Sequence, residues 1–351
     1  MKLMTPGPTN IPEIVRKAMT EPMIHHRTAE FESIFSEFIN NLKYVFKTKN
    51  DVIVLTSSGT GGMEAAVCNF FSSGDKVIVC NNGKFGERFV EICRQYGLNV
   101  IEIRYEDGYS VDVKDIEKHL SDDVKGVFVT QSETSTGICN DIESIGKIVK
   151  KTDALLIVDS ISALGSVDMR TDEWEVDVVI AGSQKALMGP PGLCFISVSE
   201  KAWEAYKKSN LPKYYFDLGK YKNKIPKETP FTPAISIIIG MNESLKMIRE
   251  IGIDNFLKKH EKLAEKLRKG ITDLGFELFT KSGLKNNGLT VVKSLPGIDS
   301  KVIINAMKEK GYVIANGQGE LKGKIFRIAT MGDVEEKDIN NILDVLREIK
   351  K

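Results

Sequence analysis

Seven short apolar runs set the architecture of this chain: Val52 to Leu55, Lys76 to Cys80, Asn99 to Ile103, Gly126 to Thr130, Leu155 to Val158, Val176 to Ile180 and Cys194 to Val198. Helical stretches lie between most of them, as at Met63 to Phe71, Arg88 to Tyr96, Val113 to Leu120 and Ile142 to Val149. Several runs are apolar at consecutive positions, which implies burial on both faces. The pattern therefore predicts an α/β fold with a mostly parallel sheet sandwiched by helices, and leaves the strand order open.

The flanking segments complete the plan. The opening TPGPTN is a proline- and glycine-punctuated arm, followed by a helix from Ile11 to about Met19. Phe31, Ile34, Phe35, Phe38, Leu42 and Val45 recur at helical spacing and predict an amphipathic helix. Residues Ser199 to Glu228 are rich in lysine and tyrosine without a clear period, and read as a solvated loop or a subunit contact. From Pro233 a helical pattern runs through Ile251 to about Leu274. A strand, helix, strand, helix succession then follows at Thr290 to Lys293, Lys301 to Lys310, Lys324 to Ala329 and Glu336 to Ile349. We expect an arm over 1–12, a large domain over 13–250 and a smaller C-terminal α+β domain over 251–351.

Charge narrows the function classes. With 49 Lys+Arg against 48 Asp+Glu, nothing recommends nucleic acid or an anionic membrane as partner. No apolar stretch approaches the roughly 20 residues of a membrane span, and MKLMTPGPTN lacks the apolar core of a secretory signal, so a cytoplasmic protein is expected. Cys68, Cys80, Cys93, Cys139 and Cys194 are scattered without a C-x-x-C pair, which indicates neither a disulfide framework nor a metal site.

Six stretches could carry chemistry. Ala181 to Met188, AGSQKALM, places Lys185 just past a strand end, where a partly desolvated lysine can lose its proton and form a Schiff base with an aldehyde. Read alone, it serves equally as a solvated lysine. Ser57 to Gly62, SSGTGG, sets hydroxyls and open backbone N–H groups at a helix start, an anion cradle that lacks the Gly-Lys-Ser/Thr of a Walker loop. In Asn82 to Gly86, NGKFG, Phe85 between two glycines can lie against a planar ring or anchor the core. Thr130 to Gly137, TQSETSTG, is a polar loop after a buried strand, satisfied either by a ligand or by its own turn. Asp159 ends the apolar run LLIVD, an expensive place for an acid unless it meets a cation or a protonated ring nitrogen. Arg327, inside IFRIA, suits either a substrate carboxylate or a structural salt bridge. His25 and His26 stand next to each other with no further His/Cys set, and read as rim or structural residues.

Taken together, P-G-P-T-N, S-S-G-T-G-x-x-E-A, N-G-x-F-G, E-T-S-T-G, V-D-S, G-S-Q-K-A-L followed by P-P-G, and R-I-x-x-M-G resemble the class V aminotransferases of the alanine–glyoxylate and serine–pyruvate type, over nearly the whole chain. The resemblance implies fold type I and pyridoxal 5'-phosphate as cofactor. It implies that Lys185 holds the cofactor and shuttles a proton, and that Asp159 pairs with the pyridine nitrogen. Phe85 would stack on the ring, Thr134 would sit near its hydroxyl edge, and Ile161 would line the cofactor site. Ser58, Gly59, Thr60 and Gln184 would seat the phosphate, joined by Thr232 or Thr229 of a second subunit in a homodimer, with Thr232 favoured. Arg327 would bind the substrate carboxylate, with Gly7 of the arm closing over it.

The expected reaction is a ping-pong transfer from a small amino acid, alanine or serine, to glyoxylate or pyruvate. Relatives acting on 2-aminoethylphosphonate, ureidoglycine or aspartate share most of these motifs. A cysteine desulfurase would need a nucleophilic cysteine ahead of Arg327, and Gly311 to Lys324 contains none. A cofactor-binding protein without turnover is a rival from a different class, and a nicotinamide-dependent dehydrogenase is weakened by the missing dinucleotide fingerprint.

Overall fold

The computed structural model describes residues 1–350. Seven strands form its main sheet: β1 (Asp51–Thr56), β2 (Lys76–Asn81), β3 (Asn99–Arg104), β4 (Val124–Thr130), β5 (Leu155–Asp159), β6 (Val178–Gly182) and β7 (Leu193–Val198). Their spatial order is β1-β7-β6-β5-β4-β2-β3. Every pairing is parallel except those of β7, which runs antiparallel to both β6 and β1. The C-terminal ends of the other six strands thus share one edge. The connections carrying Ser58, Thr134, Ile161 and Lys185, and the helix start carrying Phe85, all leave the sheet at that edge.

Both faces are covered, as the unbroken apolar runs require. Val52, Val54, Val127, Val129, Leu156 and Val158 point to one side, where Phe31, Phe35 and Phe38 of the helix Ala29–Phe46 are buried. Ile53, Leu55, Val77, Phe128 and Ile157 point to the other, against the helix Gly59–Phe70. The helix Ala29–Phe46 starts at Thr28, whose hydroxyl accepts from the Phe31 N–H, and stops where Lys47 turns left-handed at φ 50°. Truncating a core phenylalanine such as Phe38 to alanine would cost about 3–5 kcal/mol.

The structure differs from expectation in two places. Residues 199–228 are not simply a loop: Glu200–Tyr206 and Leu218–Lys222 are helical, each capped by the residue before it, Ser199 and Asp217. These helices are too short to show a period. Trp203 instead packs edge-on to Phe70 at 6.4 Å. The pattern running on from Pro233 is two helices, Ile235–Ile251 and Ile253–Asp273, broken at Gly252 with φ 84°.

The C-terminal part has its own antiparallel sheet of β8 (Leu289–Lys293), β9 (Ala315–Asn316) and β10 (Ile325–Ala329), ordered β8-β10-β9. Leu263, Leu267, Ile303, Phe326, Ile339 and Ile342 form a core there. We propose that Gly252 marks the division between the two units. The N-terminal arm joins the smaller one: Lys2–Leu3 pairs in parallel with Tyr312–Val313, and the Met4 carbonyl accepts from the Ala329 N–H at 2.7 Å, two residues from Arg327.

Candidate active site

The centre of the site is the end of β5 and the loop after β6. Asp159 is buried at 3% exposure, its Oδ1 accepting from the Ile161 N–H at 2.9 Å. Burial pushes its carboxyl up to about 7, and Lys185 and Arg88 pull the other way. Burial lowers the Lys185 ammonium to about 8, opposed by the charge of Asp159. Each group thus titrates near neutrality within range of the other's field, where a lysine can act as nucleophile and base.

The arm closes on this lysine. Lys185 Nζ donates to the Pro6 carbonyl at 2.6 Å, and Thr9 Oγ1 donates to the Lys185 carbonyl at 2.8 Å. A Cβ at Gly7, where φ is 129°, would stand 2.3 Å from Lys185 Nζ, so only glycine admits the contact.

The residues that could seat a phosphate gather beside it. The helix Gly59–Phe70 begins at Ser58, whose side chain caps none of its N–H groups. The positive end of a twelve-residue helix therefore stays available to an anion. Gly59 has no room for a side chain, since a Cβ would meet Ile161 Cδ1 at 2.4 Å. Gln184 leaves its Oε1 buried without a partner; that oxygen only accepts, so a phosphate would be met by the side-chain NH2 with the amide turned over. Phe85 is half-buried in the first turn of the helix Lys84–Gln95 rather than on a free loop. Arg327 is buried in β10 and donates through Nε to the Asn316 carbonyl at 2.8 Å and through Nη1 to the Thr134 carbonyl at 3.0 Å. Burial lowers it to about 10, so it stays charged at neutral pH.

Residues 3–324 match the family Aminotransferase class-V. The chain belongs to this family. It is 41% identical to a soluble hydrogenase 42 kDa subunit of Anabaena cylindrica, over 97% of this chain and 90% of that one. It is 34% identical to an L-aspartate–glyoxylate aminotransferase of Paracoccus denitrificans (95% and 87% covered). Identity is again 34% to a serine–glyoxylate aminotransferase of Methylorubrum extorquens (95% and 87%). Among solved structures, a Thermus thermophilus aspartate aminotransferase superposes with TM-score 0.92 at 30% identity, covering 100% of this chain and 99% of that one. The fold is pyridoxal-phosphate fold type I, the protein is a transaminase, and its cofactor is pyridoxal phosphate. The acid and lysine near neutrality and the open helix start fit that cofactor, and the unpartnered Gln184 amide can turn its NH2 to the phosphate.

The two threonine candidates of this class-V aminotransferase differ sharply. Thr229 is buried, and its hydroxyl donates to the Phe231 carbonyl at 2.6 Å. Thr232 is exposed. Arg27 holds the same loop from behind, donating to the Thr229 carbonyl at 2.9 Å and pairing with Glu228, and His25 and His26 precede it on the outer surface. Among the described residues, no helix is long and apolar enough to cross a membrane.

Reading the sequence missed two residues. Arg88 lies 4.8 Å over the Phe85 ring and donates to Thr60 Oγ1 at 3.1 Å, so it joins the first turn of the helix Lys84–Gln95 to the start of the helix Gly59–Phe70. Its i, i+3 spacing from Phe85 was the available signal. Glu133 is fully buried between Phe85 and Thr134, and nothing in TQSETSTG distinguishes it from its polar neighbours.

Proposed function

We propose that this aminotransferase moves the amino group of a small amino acid, of the alanine or serine type, to a 2-oxo acid such as glyoxylate or pyruvate by a ping-pong mechanism. The observation that carries the reading is Arg327: a buried guanidinium held by two neutral carbonyls keeps its charge for an incoming carboxylate. Donor and acceptor both present such a group, so one clamp serves both half-reactions. The second guanidinium near the site, Arg88, is committed to Thr60 and Phe85, which favours substrates with a single carboxylate.

When bound, pyridoxal phosphate supplies an aldehyde that exchanges amino groups and a ring that takes up electron density. Asp159, at the end of β5, would pair with the ring nitrogen and hold a proton there. Lys185 Nζ removes the proton from Cα of the donor and returns one to Cα of the acceptor's product. Ser58, Gly59, Thr60 and Gln184 would hold the phosphate, and Ile161, Thr134 and Phe85 would hold the ring. The Gly7 segment keeps water from the lysine. Thr232, exposed on its own subunit, reaches the phosphate of a second copy in a cytoplasmic homodimer.

The test follows the visible spectrum of the purified protein as alanine, serine, aspartate and 2-aminoethylphosphonate are added singly. The expected result is loss of the cofactor band with alanine or serine and its return with glyoxylate or pyruvate. Loss with aspartate alone would overturn the small-donor reading, and a band that responds to no amine would overturn transamination by these substrates.

A further inference from the structure

We propose that Glu133 is the positioning residue that holds the ring platform Phe85 and the carboxylate clamp Arg327 in one fixed relation. The inference rests on the roles given above to those two residues. Glu133 is fully buried, and each of its carboxylate oxygens accepts two hydrogen bonds. Oε2 takes the backbone N–H groups of Phe85 at 2.8 Å and Gly86 at 3.1 Å. Oε1 takes the Ser135 N–H at 3.0 Å and the Ser135 hydroxyl at 2.6 Å. Four donors around two oxygens suit an anion, and two of them are free N–H groups in the first turn of the helix Lys84–Gln95.

This single side chain therefore fixes two loops. On one side it pins the turn from which Phe85 projects. On the other it grips Ser135, whose hydroxyl also accepts from the Lys84 N–H at 3.0 Å. Glu133 and Ser135 flank Thr134, the residue whose carbonyl receives Arg327 Nη1. Burial raises the carboxyl of Glu133 and its four hydrogen bonds oppose that rise; its charge in turn opposes the fall at Arg327 and adds to the rise at Asp159. Gly83 makes the approach possible, because a Cβ there would lie 2.5 Å from Glu133 Cγ and 2.4 Å from Ser135 Oγ. The first glycine of N-G-K-F-G is thus a space requirement of Glu133.

Glu133→Gln tests the arrangement, since an amide has one accepting oxygen and its NH2 would face two donors. In the cofactor-free protein, hydrogen exchange across 83–90 and 132–137 should quicken by about tenfold or more, while strands β5 and β6 keep their protection. In the holoenzyme, the cofactor dissociation constant and the KM for donor and acceptor should each rise by about tenfold, with kcat changed less than about threefold. Ser135→Ala, which removes one of the four donors, should shift every readout in the same direction by less, and it carries the test if Glu133→Gln does not fold. A lower Tm with exchange faster at 83–90 but cofactor affinity and both KM values within twofold would make Glu133 a helix cap only, and overturn the proposal. If the wild-type protein transaminates none of the small donors, the substrate reading fails by itself, and exchange together with cofactor affinity still decides the role of Glu133.

Discussion

The Lys185 ammonium donates to the Pro6 carbonyl at 2.6 Å, so the amino group and the N-terminal arm meet across just over half the chain. An amine in that setting attacks an aldehyde only after losing its proton, and burial brings that loss down to about pH 8. Capture of pyridoxal phosphate by the cofactor-free protein should therefore accelerate with pH by about tenfold per unit below that value, and level off above it. Stopped-flow absorbance between pH 6 and 10 measures this. A rate still climbing toward the ordinary lysine range would mean that the surroundings do not lower the lysine. Lys185→Ala should leave no cofactor that borohydride can fix to the protein.

Arg327→Ala should raise KM for amino donor and oxo acceptor together, by roughly 10- to 150-fold, as expected for losing a charge-assisted clamp of about 1.5–3 kcal/mol. Arg327→Lys should recover little, because a single ammonium cannot hold the Asn316 and Thr134 carbonyls while presenting a fork to the substrate. Steady-state kinetics in both directions decide it. A change in only one of the two KM values would separate the half-reactions into different carboxylate sites.

These residues were legible for a physical reason. Functional side chains in a parallel sheet sit at strand ends, and a buried strand announces its end by the first polar residue after an apolar run, as Asp159 does after LLIV. Direction and long-range pairing leave no such mark. The run of β7 looks like its neighbours although it is antiparallel to both of them. Nor does a local pattern reveal that Met4 bonds to Ala329, or that Glu133 rather than a neighbouring polar residue is the one sealed between two loops. Gly252 was ambiguous for another reason: a lone glycine in a helical pattern is sometimes tolerated, and only its φ of 84° shows the break.

His260 carries a pH signature away from the catalytic groups. It is fully buried, with Nδ1 against the Phe256 carbonyl at 2.8 Å and Nε2 accepting from the Gly332 N–H at 3.1 Å, which requires the neutral ring. Burial depresses its pKa from 6.5 to about 4. The unfolded chain therefore binds the proton first, so this contribution is present above about pH 6.5 and is lost as pH falls toward 4. It amounts to something on the order of 3 kcal/mol. Urea unfolding of the cofactor-free protein at pH 7 and pH 4.5 should show a smaller loss for His260→Gln than for wild type. Equal losses would mean that His260 is not the group being titrated. Gly332 also abuts Thr9, where a Cβ would meet the Thr9 side chain at 3.0 Å, so acid should loosen the arm over Lys185.

The exposed Thr232 and the self-bonded Thr229 give opposite expectations. Thr229→Ala should lower Tm with little effect on cofactor affinity, whereas Thr232→Ala should weaken the cofactor by about five- to tenfold through one lost phosphate hydrogen bond. In the proposed homodimer, mixed dimers would show which subunit Thr232 serves. Pairing a Lys185→Ala subunit with a Thr232→Ala subunit leaves one intact lysine, on the chain that lacks the threonine. If Thr232 reaches across, that lysine's site receives the other chain's threonine, and cofactor binds there with wild-type affinity. If Thr232 serves its own subunit, the same site shows the weakened affinity of Thr232→Ala. Spectral titration of separately tagged, purified heterodimers distinguishes the two, and the weakened value would remove Thr232 from the subunit boundary.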